Sequence, residues 1–188
     1  MQPTDTVADT ICRTVELGVT ITDAAISETT TFIDCRPIVT DDVCPCCGRS
    51  GRLRDHVDRV LTDLPISGHP TRLRVRVPRL ICENTDCVGT IYRGGIDHVA
   101  GPRAATTRRC ARWILQRLAV DKMSISAVAR LLGLGWDTVN ELALSAVRSL
   151  AYDDPRHLAG VRYLGVDEHV WKHTRGQGGP SMVEPSWV

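Results

Sequence analysis

Four cysteines carry the first chemical signal, in two short groups, Cys44-Pro45-Cys46-Cys47-Gly48 and Cys82-Glu83-Asn84-Thr85-Asp86-Cys87. Cys44 with Cys47, and Cys82 with Cys87, each present two thiolates from one short knuckle. Two such knuckles can close a tetrahedron around one zinc ion, with each sulfur about 2.3 Å from the metal. Gly48 suits the tight backbone after the second ligand. The looser spacing of the second group leaves other uses open. Cys46 beside Cys47 permits a vicinal redox pair, and His56, His69 and His98 are candidate substitute ligands. Cys12, Cys35 and Cys110 lie in apolar patterns and read as packed thiols. Bound zinc supplies on the order of 10 kcal/mol or more to folding, and a ribbon this short has little core of its own.

The residues between the knuckles must bring them together, and they read as a hairpin, so that 43–90 forms a zinc ribbon. Its second strand is Thr71-Arg72-Leu73-Arg74-Val75-Arg76-Val77. Alternation puts Leu73, Val75 and Val77 on one face and Arg72, Arg74 and Arg76 on the other. The arginine row is either a phosphate-binding stripe or a plain solvated face. Leu64 to Pro70 reads as a loop by its Pro, Ser and Gly content. Upstream, 3–17 reads as a helix with Val7, Ile11 and Val15 as its stripe. Two β-prone runs follow at 18–26 and 29–36, and 1–42 forms a small α/β cap. Downstream, Gly94-Gly95 and Gly101-Pro102 mark 91–105 as a linker.

Residues 106–150 hold three helical patterns. The first runs near 107–120, with Cys110, Trp113, Ile114 and Leu118 inward. The second is Ile125 to Leu132, with Ser124 or Ser126 as N-cap. The third is about Trp136 to Leu150. Val128, Leu132, Leu134, Val139 and Leu142 are apolar where a helix-turn-helix needs inner contacts. Ala129 is small at the helix crossing, and Gly133 stands where the backbone turns with positive φ. A plain three-helix bundle is the alternative. In a helix-turn-helix, Trp136, Thr138 and Asn140 begin the recognition helix, and Asn140 can bridge an adenine edge. Asp137 and Glu141 oppose phosphates there. Arg108, Arg109 and Arg112 on the first helix would then contact phosphate, with the ribbon arginines.

The net charge of +1 hides an uneven distribution. Residues 1–42 hold two Arg and eight acidic residues, and 43–118 hold fourteen Arg and six acidic residues. A neutral chain with a basic middle can dock on phosphates there. No run approaches the roughly 18 to 20 apolar residues of a membrane span, and the start shows no signal-peptide pattern. The expected location is cytoplasmic and nucleoid-associated, with no membrane partner.

The order of parts, continued by Val161-Arg162-Tyr163-Leu164-Gly165-Val166-Asp167-Glu168-His169, resembles bacterial insertion-sequence transposases of the ISL-three class. The segments that carry the resemblance are CPCCG, DLPISGHPTRLRVRVPRLICENTDC, SISAVARLLGLGWDTVN and YLGVDEHVWKH. The resemblance implies that ribbon and helix-turn-helix bind the element's terminal inverted repeats as double-stranded DNA. It implies an RNase H-like catalytic domain with an Asp-Asp-Glu triad and divalent metal. Asp167 falls on the first triad position, in the first strand of that domain.

Two-metal strand transfer needs three converging carboxylates. Asp167 is followed by Gly178-Gly179-Pro180 and Glu184-Pro185, which do not continue the pattern. The expectation is a truncated or frameshifted copy that binds DNA without strand transfer. Mg²⁺ would then belong only to a complete family member. On this reading 151–188 is the start of an incomplete domain, a weakly held tail that exposes Trp171 and Trp187. Further partners would be a second copy of the chain or an intact transposase. The expected fold is α+β and multi-module: cap, zinc ribbon, linker, helix-turn-helix and one RNase H-like strand. The competing functions are a zinc-dependent regulator of transposition or transcription, a transposase completed by another chain's acids, and a thiol redox protein.

Overall fold

The structure, a computed structural model, describes residues 7–153, 156, 158–163 and 165. Five strands and four α-helices are present among them: α1 (Val7–Cys12), β1 (Val19–Ser27), β2 (Thr30–Pro37), β3 (Gly51–Ile66), β4 (His69–Cys82), β5 (Ile91–Arg93), α2 (Arg108–Ala119), α3 (Ile125–Leu132) and α4 (Trp136–Val147). The class is α+β.

β1 and β2 form one antiparallel hairpin, and β3 and β4 a longer one. β2 then pairs in parallel with β4, Thr31 opposite Thr71 through Cys35 opposite Val75. The sheet order is β1-β2-β4-β3, and β5 also pairs with β4. Strands expected in a separate cap and in the ribbon therefore share one sheet. Sequence offers no direct sign of this, because parallel pairing joins segments remote in the chain.

The alternation in β4 holds. Leu73, Val75 and Val77 are buried with Leu17, Val19, Ile33, Cys35, Leu61, Ile96, Val99 and Ala100. Three expectations change. Residues 91–105 are folded against the sheet, with three of them in its core, rather than forming a linker. Ile96, Val99 and Ala100 are buried under the sheet, and Arg59 donates to the carbonyls of Gly101 and Ala104 at 2.6 and 3.1 Å. Gly94 is small for a packing reason, since a Cβ there would lie 2.8 Å from Pro78 Cγ. The loop at 64–70 contracts to a two-residue turn. Ser67 and Gly68 have φ of +51° and +82°, the backbone of a tight turn that continues strand twist. Finally, α1 ends at Cys12, earlier than the expected 17, and its stripe faces out, with Val7 and Ile11 76% and 74% exposed. It buries Asp9 instead. That carboxylate accepts from Thr14 Oγ1 (2.5 Å), Thr20 Oγ1 (2.7 Å) and the Ile21 amide (2.8 Å). This hydrogen-bonded anchor outweighs the apolar periodicity of so short a helix.

A second core joins the helices: Cys110, Ile114, Val128, Ala129, Leu132 and Val139, flanked by Leu64 of β3. After Val147, α4 passes into one π-turn over Arg148–Tyr152. Residues 155–188 form a separate unit. Its described positions, 156, 158–163 and 165, lie in turns or irregular backbone, and Tyr163 is 94% exposed. Asp167, Trp171 and Trp187 lie outside the described residues, so the expected RNase H-like strand and its weakly held tail are not described.

Candidate metal centre and nucleic-acid interface

The two knuckles meet at one point. The four thiol sulfurs of Cys44, Cys47, Cys82 and Cys87 all lie within 4.8 Å of one another. Cys44 Sγ is 3.8 Å from Cys87 Sγ, and Cys47 Sγ is 3.5 Å from Cys82 Sγ. A tetrahedron with 2.3 Å metal–sulfur bonds has edges of about 3.8 Å, so the thiols fit zinc. They are far beyond the ~2.05 Å of a disulfide, and all eight cysteines are free.

Local backbone explains the geometry. The Gly48 amide donates to Cys44 O at 2.9 Å, the Cys44 amide donates to Arg49 O at 2.8 Å, and Gly48 has φ +72°. The Cys87 amide donates to Asn84 O and the Cys82 amide to Thr90 O, both at 3.0 Å. Hydrogen bonding from the Arg49 backbone holds the Cys47 thiol down at about 6. The backbone of Cys46 and Cys47 lowers Cys44. At Cys87 the Gly89 backbone lowers the pKa, but burial and the three neighbouring thiols outweigh it and push it up to about 12. Four clustered thiols thus resist full ionisation on their own. A divalent cation removes that conflict and makes all four thiolates. Zn²⁺ is the structural cofactor of this ribbon.

The helix-turn-helix forms at the expected positions. Thr107 caps α2 and Ser124 caps α3 through their side chains. Gly133 ends α3 at φ +58°. Val139 is fully buried on α4, while Trp136, Asp137 and Glu141 are exposed and Thr138 and Asn140 half-buried.

Residues 41–87 match the zinc-finger of transposase IS204/IS1001/IS1096/IS1165, and residues 98–147 match the helix-turn-helix domain of transposase family ISL3. The chain belongs to the ISL3 transposases. Searches of curated proteins and of solved structures found no match. Its helix-turn-helix is a DNA-binding domain, and the ribbon beside it is an ISL3 zinc ribbon whose four thiols can hold the metal.

Several arginines expected on DNA in this ISL3 chain have partners within the fold. Arg72 donates to the carbonyls of Leu132 and Gly133, at 3.0 and 2.6 Å, across the end of α3. Burial lowers its pKa. Arg74 makes a two-pronged pair with Asp34, at 2.5 and 2.7 Å, and its guanidinium lies over the Phe32 ring. Arg109 is held by the fully buried Asp63, with Nε 2.9 Å from Oδ1, and also donates to the carbonyls of Cys12 and Arg13. Asp63 accepts from Thr107 Oγ1 as well, at 2.6 Å. Arg108 is exposed but donates to Asp97 O. Arg76 and Arg112 are exposed.

Asp63 and Asp9 are the site-forming residues that pattern reading missed. The available sign at Asp63 is its place between apolar Leu61 and Leu64 in a chain whose middle is rich in arginine. The outer sheet face is also less positive than the arginine row implied. Asp34 pairs with Arg74, and Asp58 stands across the ladder from Arg76.

Proposed function

We propose that this chain binds the terminal inverted repeats of an insertion element as duplex DNA and does not by itself carry out strand transfer. The observation that carries this reading is the union of a four-thiol ribbon with a helix-turn-helix whose second helix turns Trp136, Asp137 and Glu141 to solvent while Val139 anchors it. Trp136, Thr138 and Asn140 meet base edges in the major groove. Arg76 and Arg112, both exposed, supply salt-dependent phosphate affinity. Strand transfer in the family pattern calls on Asp167 and two more carboxylates holding divalent metal. The metal-holding cluster found among the described residues is the cysteine set, which serves structure.

The partners on this reading are element ends, a second copy of the chain and an intact transposase. The location is cytoplasmic, at the nucleoid. No described helix is long and apolar enough to cross a membrane.

The deciding experiment is a gel shift against the element's terminal repeats with random duplex as competitor. A preference for the repeats supports the reading. Equal binding to both removes the sequence-directed part. A magnesium-dependent cleavage assay with Asp167→Asn as control tests the catalytic part, and cleavage that depends on Asp167 would overturn it.

A further inference from the structure

We infer that Arg36 and Arg76, with His56, form a docking patch for a sugar–phosphate backbone on the outer face of the sheet. This rests on the duplex-DNA reading and names a surface for it outside the helix-turn-helix.

The patch lines an open hollow of about 300 Å³, whose floor includes Leu53, Pro78 and Leu80 and whose rim carries Arg36, Arg76 and His56. Arg36 follows Cys35 and Arg76 follows Val75, the last matched pair of the parallel β2–β4 ladder. The two arginines therefore stand on neighbouring strands, about 4.8 Å apart at the backbone. Two like charges so close are unfavourable unless an anion joins them.

Several other arginines of the sheet have partners: Arg74 pairs with Asp34, Arg79 with Asp55 and Arg52 with Glu83, and Arg72 is held by carbonyls. Among the described residues no carboxylate lies within ion-pair distance of Arg36 or Arg76, although Asp58 is the cross-strand neighbour of Arg76. Both side chains are exposed. Two free guanidiniums can each grip a phosphate with two donors, and the Leu and Pro floor suits the apolar side of deoxyribose.

Position supports the same ligand. Arg72, Arg74 and Arg76 share one face of β4, and Arg72 already touches the helix-turn-helix at Leu132 and Gly133. From Arg72 to Arg76 the strand covers about 13 Å, roughly four phosphates of one strand along the helix axis. A duplex seated on α4 can run on across the sheet to the patch.

The test measures binding of the full zinc-loaded chain to duplex DNA across a salt series. Arg36→Gln with Arg76→Gln is expected to lower the slope of log affinity against log salt by about 1.8, at about 0.9 per phosphate contact. Arg36→Lys with Arg76→Lys keeps the slope. Arg93→Gln with Arg103→Gln, on residues lining a different hollow beside the core-face residues Val57 and Val77, also keeps it. Zinc content and melting temperature are read alongside. Should the glutamine pair lose zinc, each single glutamine variant decides, with an expected drop of about 0.9. An unchanged slope in the glutamine variants, or an equal drop in the Arg93/Arg103 control, overturns the patch alone. A wild-type chain that does not bind duplex at all overturns the functional reading and the patch together.

Discussion

At the scale of single residues, seven of the eight cysteines separate into three kinds, and the eighth, Cys12, is half-buried against the sheet core. Cys44, Cys47, Cys82 and Cys87 hold zinc. Cys35 and Cys110 are buried, and burial pushes each thiol up to about 12. Cys46 is exposed beside the metal site. Alkylation at neutral pH, read by peptide mass mapping of the zinc-loaded protein, should therefore label Cys46 and spare Cys35 and Cys110. The buried pair also gives a sign for alkaline stability. Their folded pKa lies above the ordinary value of 9.0, so the folded state holds its protons longer. Stability from this source is complete below about pH 9 and is lost as pH rises towards about 12. Denaturant melts over that window should fall less steeply in Cys35→Ala/Cys110→Ala than in the wild type, and identical pH slopes would refute the assignment.

At the scale of elements, two contacts seat the helices on the sheet. The Asp63–Arg109 pair joins β3 to α2, and Arg72 joins β4 to the turn after α3. Asp63→Ala leaves a guanidinium without its partner in a largely closed site and should cost about 3–5 kcal/mol in chemical denaturation. Gly133→Ala meets a different obstacle. Its φ is +58°, and the new methyl would sit 3.3 Å from Arg72 Nη2 and 3.4 Å from Pro70 Cβ. A loss of about 1–2 kcal/mol is expected from the backbone alone. The helix boundaries of 106–150 were legible because capping and glycine chemistry act over three or four residues. Ser124 and Gly133 behave as their local sequence demands. From sequence alone Arg72 and Arg109 stand as open phosphate ligands, because their partners in the fold lie about sixty and forty-six residues away, beyond any periodicity.

At the scale of the whole molecule, zinc does more than close a ribbon. β4 ends at the ligand Cys82, carries the core residues Leu73, Val75 and Val77, and holds the helix-turn-helix through Arg72. Chelation should therefore unsettle the sheet and the helical unit together, with a loss on the order of 10 kcal/mol. Circular dichroism during titration with a strong chelator should show helix and strand signals lost in one transition. Retention of a folded helical unit after zinc removal would separate the two. Both matched segments lie in the single compact unit that ends at Asp154, as this expectation requires.

The chain's own order of residues determined the metal site, the alternating strand β4 and the three helices with their turn. Each depends on spacing within a knuckle, a strand or a helical turn, where covalent geometry leaves few choices. Only the tertiary structure decided that β2 lies along β4, that Ile96, Val99 and Ala100 join the core, and that Arg72, Arg74 and Arg109 find partners within the fold while Arg36 and Arg76 remain open. Those outcomes depend on which carboxylate or carbonyl folding brings near each guanidinium. One arginine looks like another until its neighbour across the sheet is known.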